Sequence, residues 1–582
     1  MTGFAGAFAL DPDAKHKAAL IGERLSRRLS RHPRDKIHRM DSGAATICHF
    51  DIEAWRDPLV QTGASFSRQP GDGAPTPTLT KICGDPVLEN EPNRGAMLKR
   101  LADTPPKQSL RVLARCRGTF SVVHTTGDAL VVATDKFGSR PVYWMNLENC
   151  LIFATSYRVL VESFYSSLHI DDIALSQMLC LGQCLGDRTV FEQIRVLKPG
   201  TALHVDTTNV GVDAYHDWAD HQRTCLNYRE ALGDMYDTFL EAVRRADPDE
   251  RPLAFLSGGL DSRAVVAALL DLGYPVKTFN SSYPHSADHV LGEMAAKHFG
   301  TDHVTDLRAP AERLRSDLEP FARYARRTLL GDDVTATRMW SGDGGSVGLG
   351  FVYITAEATE AVRETPVTLD SVRSLFKRLR GGGFRCIPLS RQQSFREMAA
   401  HSLSKEIDTL DTPEDEKRLY LFYLKNDQMR HLHSHYEDID ISRIEFTTPF
   451  FDADLISRVL QLPADWLRGH KFYNDWMSMF RTPADAVPWQ NYPGHHPSPL
   501  PLPEGIQTQW DAGWYQSREA RRILVDVATE TLRRQGRHSQ NVVSTWRLRV
   551  FKLTHQMGSQ RFTHEINAAR KLTSALEPEK TA

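Results

Sequence analysis

Ser257-Gly258-Gly259-Leu260-Asp261-Ser262 stands between two apolar runs, Leu253-Ala254-Phe255-Leu256 before it and Arg263-Ala264-Val265-Val266-Ala267-Ala268-Leu269-Leu270 after it. The first run reads as a buried strand and the second as a helix with few polar faces. A chain that turns from strand to helix through two glycines gathers backbone N–H groups and the positive end of the helix dipole around one small volume. The glycines let the backbone approach an anion closely, and Ser257 and Ser262 supply hydroxyl donors. Asp261 is placed to hold the magnesium that accompanies a polyphosphate. The stretch is an anion cradle. It is not the common phosphate loop, because no G-x-x-x-x-G-K-[ST] run with its lysine occurs in the chain.

Outward from this loop the pattern stays α/β. Tyr228 to Arg245 is an amphipathic helix, Val276-Lys277-Thr278-Phe279-Asn280 reads as a strand, and Asp288 to Phe299 reads as the next helix. A β-α-β-α order predicts a parallel sheet. Beyond residue 390 the pattern is mostly helical. Residues 1 to about 215 are instead strand-rich. Gly118–His124 and Ala129–Asp135 are joined by the turn Thr125-Thr126-Gly127-Asp128, and Val142–Trp144 and Leu151–Ala154 follow. Residues 69 to 78 form a Pro/Gly-rich surface loop, and no solenoid-length repeat occurs.

Bulk properties narrow the class. The chain has 582 residues, 41% hydrophobic and 25% charged, with a formal net charge of −2. That describes an ordinary globular protein of two to four domains. The neutral balance leaves no electrostatic footprint for nucleic acid. No apolar run approaches membrane-spanning length, and the N-terminus lacks the apolar core of a secretory signal. The basic stretch Lys15 to Arg34 reads as a solvated amphipathic helix, since Asp11, Asp13 and Glu23 argue against a transit peptide. The eight cysteines make no C-x-x-C pair, which supports neither zinc nor a disulfide framework and fits buried thiols in a reducing cytoplasm. His431, His433 and His435 follow i, i+2 spacing with no carboxylate at a zinc-motif position, so they read as a solvated or partner-facing helix.

S-G-G-x-D-S after a strand is the signature of the ATP pyrophosphatases, and the two halves in this order resemble the asparagine synthetase B family over nearly the whole chain. Arg117–Ser121 and Ala133–Tyr143 are similar to the family's R-G-x-F-A and A-R-D-x-x-G-x-x-P-L-Y runs. Leu181-Gly182-Gln183, Arg188–Ile194 and Leu197-Lys198-Pro199-Gly200 continue the likeness. In the second half Leu256–Ser262, Ser286-Ala287-Asp288, His298–His303 and Glu445–Asp452 match in turn. The resemblance implies an N-terminal Ntn-hydrolase-like α+β sandwich over residues 1–218, of the class II glutamine amidotransferase type. It implies a C-terminal parallel-sheet ATP-pyrophosphatase α/β domain over residues 219–582, with a mainly helical C-terminal region. It also implies ATP and Mg2+: Ser257, Gly258, Gly259, Asp261 and Ser262 on pyrophosphate and metal, and Leu256 with Val276 to Phe279 beside adenine.

Departures from the family pattern are concentrated at both sites. Glutamine-hydrolysing members begin M-C-G-I-x-G, whereas this chain begins Met1-Thr2-Gly3-Phe4-Ala5-Gly6, placing Thr2 at the nucleophile position. An N-terminal threonine has its own chemistry, using its amine as base. The family's N-G-E-x-Y-N becomes Cys83-Gly84-Asp85-Pro86-Val87-Leu88, and its G-S-D-x-E has no counterpart in Asn93 to Ala102. Loss of nucleophile, oxyanion donor and amine clamp together points to a remnant without glutaminase activity, with Cys83 as a relocated nucleophile the lesser alternative. In the second half the family's S-G-x-G-G/S-D-E run corresponds to Ser341-Gly342-Asp343-Gly344-Gly345-Ser346-Val347. By this correspondence Gly342 borders the nucleotide and Asp343 is the candidate catalytic acid, while the D-E pair has become Ser346-Val347. The family lysine is missing from Val487–Pro497. His495 or His496 supplies a cation or base in its place, or that segment is a proline-rich loop with incidental histidines.

Three readings remain. The first is an ATP-dependent amide ligase that adenylates a small-molecule or peptide carboxylate and joins it to an amine without glutamine, as β-lactam synthetase and the lasso-peptide macrolactam cyclases of this family do. A precursor peptide and a leader peptidase would then be its partners. The aromatic C-terminal region, with Trp466, Trp476, Trp489, Trp510 and Trp514, suits a peptide, although each tryptophan reads as core ahead of substrate platform. The second is a glutamine- or ammonia-dependent asparagine synthetase. The third is a non-catalytic protein that keeps the nucleotide fold.

Overall fold

The computed structural model describes residues 2–55, 66–68, 78–89, 94–205, 209–218, 224–308, 335–363, 383–410, 412, 414–508, 518–559 and 561–578. Most of the expected loop at 69–78, and Trp510 and Trp514, lie outside the described residues.

The first half is built on two six-stranded antiparallel sheets. One runs Arg195–Val196, Tyr143–Leu147, Cys150–Ala154, Gly3–Ala9, Ala45–Phe50, His38–Ser42; the other runs Val210–Ala214, Thr201–Val205, Ala129–Thr134, Phe120–Thr126, Thr78–Gly84, Phe66–Arg68. Strand periodicity sorts their side chains. Val123, Leu130 and Val132 enter the main core with Phe4, Phe8 and Ile47. Val122, Val131 and Ala133 face the other way, onto Met97, Leu101 and Leu113 of the short helices Arg94–Ala102 and Ser109–Leu113. The helix Lys15–Ser26 covers the first sheet through Ala18, Ile21, Gly22 and Leu25, an i, i+3, i+4, i+7 stripe. Helix, sheet, sheet, helix is the four-layer sandwich that the resemblance implied.

The second half carries a five-stranded all-parallel sheet in the order Asp302–Leu307, Lys277–Ser282, Leu253–Phe255, Thr337–Trp340, Ile444–Thr447. By chain order this is 3-2-1-4-5, so the winding direction reverses between Leu253–Phe255 and Thr337–Trp340. Parallel sheets bind ligands at such a switch point, beyond the carboxyl ends of the strands. The loops that leave there are 256–259 and 341–344. The expected helix Tyr228–Arg245 has those bounds, because Asn227 and Glu230 close a capping box at its start. The C-terminal region is helical, and residues 415–437 form one helical rod with a π turn over Tyr423–Gln428. Among the described residues no helix is long and apolar enough to cross a membrane. All eight cysteines are free, and only Cys225 is exposed.

Candidate active site

The helix after the loop begins at Leu260 with Gly259 as an extended N-cap that offers no side chain. The loop is partly self-satisfied. Ser257 N–H donates to Ser262 Oγ at 2.9 Å, and Gly258 N–H donates to Asp288 Oδ1 at 3.1 Å. Two glycines are needed for the segments to meet. A Cβ on Gly258 would lie 2.4 Å from the Ala287 carbonyl oxygen, and one on Gly342 would lie 2.4 Å from the Ser262 nitrogen. The switch point thus presses the loop that follows Trp340 against the first turn of the Leu260 helix.

Asp261 is the joint between them. Its Oδ1 accepts the hydroxyls of Ser346 at 2.7 Å and Tyr473 at 2.8 Å, and its Oδ2 accepts Ser346 N–H at 2.9 Å. Burial pushes its carboxyl up to about 6, with the Ser346 and Tyr473 donors pulling the other way. Where the family carries an acid, Ser346 is a donor that orients Asp261. A cavity of about 250 Å³ opens beside them, lined by Asp261, Asp288, His470, Trp489, Tyr492 and His495 among others. Two carboxylates and, among the described lining residues, no lysine or arginine make it a poor home for bare phosphates. Hard oxygen ligands, with a lone pair left on Asp261 Oδ2, suit Mg2+, which would supply the missing positive charge.

The far wall is the 487–497 segment, and it is built rather than incidental. Gln490 N–H donates to the Gly258 carbonyl at 2.9 Å. Arg263, fully buried one residue after the loop, donates to the carbonyls of Ala484, Val487 and Pro488, with its guanidinium carbon 5.9 Å from the Trp489 ring centre. His495 Nδ1 lies 2.8 Å from His470 Nδ1. Burial, then the neighbouring His495 and His496, push His470 down to about 3, and burial likewise lowers His495. Both shifts favour the neutral rings, each with one N–H, and the Nδ1–Nδ1 contact takes a proton from one ring, its donor set by the tautomer. His470 Nε2 is buried without a hydrogen-bond partner. The sequence reading missed His470, whose only local signal is its left-handed backbone (φ 67°) after Gly469.

Other expected site residues go elsewhere. Phe279 is fully buried with Met339, Ile444 and Phe446, so its ring is core and not an adenine platform. Leu256 is equally buried, so its side chain too belongs to the core; it serves through its N–H, which donates to the Phe279 carbonyl at 2.9 Å. Asp343 does not line the cavity. Its carboxylate meets His435 Nε2 at 2.9 Å and His431 Nε2 at 3.6 Å. Burial raises that carboxyl, but hydrogen bonds from both histidines outweigh it and hold it well below the usual range. This corrects the reading of the 431–435 histidines as a solvated or partner-facing helix: the informative spacing is i, i+4, and the carboxylate arrives from beyond a distant strand end, although the His431 side chain stays half exposed. His433 is buried on its own account, bonded to the Gly138 carbonyl at 2.8 Å. Trp476 and Trp489 are buried, and Trp489 also lines the cavity.

In the front half Thr2 Oγ1 donates to Asp51 at 3.3 Å and accepts Ile52 N–H at 3.0 Å. It faces a cavity of about 20 Å³, bordered by Cys83, Ser121 and Arg140 and by Tyr436 of the second half. That is room for about one water. Burial pushes the Cys83 thiol up to about 11, the opposite of an activated nucleophile.

A glycine loop at the switch point of a parallel sheet, beside a four-layer sandwich, is the pair of architectures that the comparisons with known proteins then address. Residues 107–216 match the family profile described as a glutamine amidotransferase domain, and residues 234–342 match that described as asparagine synthase. The chain is thus similar to an amidotransferase domain followed by an asparagine synthase domain, in that order. It is similar to asparagine synthetase [glutamine-hydrolyzing] 1 of Bacillus subtilis (strain 168), with 22% identity over 205 residues; the match spans 34% of this chain and only about a third, 32%, of the relative. Among solved structures, the glutamine phosphoribosylpyrophosphate amidotransferase of B. subtilis, complexed with ADP and GMP, aligns over 64% of this chain and 79% of its own. It does so at 10% identity and a TM-score of 0.24, too distant to inform the site.

Proposed function

We propose that this protein is an ATP-dependent carbon–nitrogen ligase that adenylates a carboxylate and joins it to an amine without hydrolysing glutamine. In this reading residues 1–218 are a structural amidotransferase-like domain and residues 219–582 the synthetase domain. The observation that carries it is the convergence of Ser257, Gly259, Leu260 and Asp261 with Ser346 and the 489–496 segment on one cavity at the switch point of the parallel sheet, which Gly258 and Ser262 support from behind. A carboxylate oxygen attacks the α-phosphorus of ATP and pyrophosphate leaves. The amine nitrogen then attacks the acyl carbon, AMP leaves, and the amine gives up a proton. Backbone N–H groups at the start of the Leu260 helix, with the Ser257 hydroxyl, hold the departing pyrophosphate, and Ser262 braces the loop by accepting the Ser257 N–H. Asp261 and Asp288 would hold Mg2+, which supplies charge neutralisation on the phosphates. His495, neutral and backed by His470, takes the proton.

Glutamine independence rests on Thr2, whose hydroxyl is already engaged, and on a front cavity too small for an amino acid. With no ammonia source the amine comes with the substrate. A peptide whose Asp or Glu side chain is closed onto its own N-terminus fits, as in lasso-peptide macrolactam cyclases, with a precursor peptide and leader peptidase as partners and the cytoplasm as the setting. A non-catalytic role draws support from one observation: Asp261 and Gly258 N–H already have protein partners. ATP–pyrophosphate exchange stimulated by Asp- or Glu-bearing peptides separates the two. Exchange supports the ligase, and its absence across carboxylates, with nucleotide bound, supports the non-catalytic alternative. Release of glutamate from glutamine would overturn the glutamine-independent part.

A further inference from the structure

We propose that Asp343, His431 and His435 form a binding site for a divalent transition metal of the zinc type, distinct from the magnesium expected beside Asp261. Asp343 leaves the end of the strand Thr337–Trp340; the histidines lie one turn apart on Met429–Glu437. Their ligand atoms, both Nε2 and a carboxylate oxygen, fall within 4.8 Å of one another. The imidazoles stand edge to face with centres 5.0 Å apart, and both Nε2 atoms approach the same carboxylate, that of Asp343. Two histidines at i, i+4 with a carboxylate from another element is a donor set that leaves a fourth tetrahedral position open. Here that position faces outward, because the His431 side chain is 51% exposed while those of Asp343 and His435 are 28% and 12%. Two imidazoles select zinc or its neighbours over magnesium, which prefers oxygen throughout.

The helix geometry serves this convergence. The π turn over Tyr423–Gln428 lies just before Met429 and resets the phase of everything after it, and such turns recur at functional positions. Phe446 packs against His435, with ring centres 4.4 Å apart, and holds that ring in place. Three residues beyond Asp343, Ser346 orients Asp261. A cation on Asp343 therefore pins the loop that positions Asp261, and it does so from outside the nucleotide cavity.

The test needs no substrate. Full-length protein freed of metal with a chelator is titrated with Co2+ in the absence of nucleotide, following the visible absorption of tetrahedral cobalt, and zinc is then added to displace it. One equivalent bound per chain, displaced by zinc and untouched by excess magnesium, is the expected result. His431→Ala removes a half-exposed side chain and leaves no buried gap. It should weaken binding by more than the roughly 10–100-fold that loss of an outer hydrogen-bond partner costs, while His495→Ala leaves it unchanged. Absence of a cobalt spectrum, or undiminished binding in His431→Ala, would overturn the site. Neither result bears on whether ATP binds at Ser257–Ser262.

Discussion

Asp261 concentrates the electrostatics of the proposed reaction in one side chain. Its folded value of about 6 lies above the roughly 3.9 of a free aspartate, so ionisation costs the fold. The stability it contributes is complete below pH 4 and is lost as pH rises through 6. A bound cation repays that loss, because it needs the carboxylate. Magnesium-nucleotide affinity should therefore rise between pH 5 and pH 7 and level off above, and Asp261→Asn should abolish pyrophosphate formation and flatten the profile. Calorimetric titrations across that range check this, and a wild-type profile that is flat would remove Asp261 from the metal. At this scale the sequence was legible where the chemistry is contiguous. Ser257–Ser262 and its flanking apolar runs carry their own context. Ser346, His470 and the Asp343–His431–His435 cluster do not, because their partners lie elsewhere in the chain: 85 residues away for Ser346, 25 for His470 and 92 between Asp343 and His435. Phe279 misled for a related reason: a strand residue's face is set by what packs on it, and Met339 and Phe446 were out of view.

Elements were read well when they carry their own start signals. The capping box at Asn227 fixes Tyr228–Arg245, and Ser286 caps Ala287–Phe299. The helix Tyr157–Phe164 shows the limit. Ser156 at its N-cap makes no side-chain cap bond. Instead Glu437 from the second half accepts N–H bonds from Tyr157 at 3.0 Å and Arg158 at 2.7 Å, and the Ser156 hydroxyl at 2.8 Å. No local pattern announces a cap supplied 281 residues away. Glu437→Ala should cost about 1–2 kcal/mol, measured as a lower denaturation midpoint; an unchanged midpoint would show that the cap carries no net stability.

Across the whole molecule the sandwich and the synthetase half are tied by buried polar contacts. Arg140, in the front cavity, pairs with Glu445 on the last strand of the parallel sheet, both nearly inaccessible, with its guanidinium over the Tyr436 ring at 4.4 Å. Arg31 binds Asp438 and Asp440, each at 2.7 Å, and Phe137 stacks on Phe451 at 4.6 Å. Arg140→Met would strand a buried Glu445 and should cost about 3–5 kcal/mol, read from denaturant unfolding of the full chain; a loss under 1 kcal/mol would mean the pair is not holding the halves together. On the proposal that the front half is structural, Thr2→Ala should leave ATP–pyrophosphate exchange unchanged, and a large loss would restore chemistry to it. Two domains in a fixed order were readable from motifs, but the contacts that join them were not.

Titration of the full-length chain with ATP and magnesium, by calorimetry, tests the account most directly. It predicts a single site that vanishes without magnesium and in Asp261→Asn. Saturating nucleotide with no heat of binding under any magnesium concentration, or undiminished binding in Asp261→Asn, would contradict it.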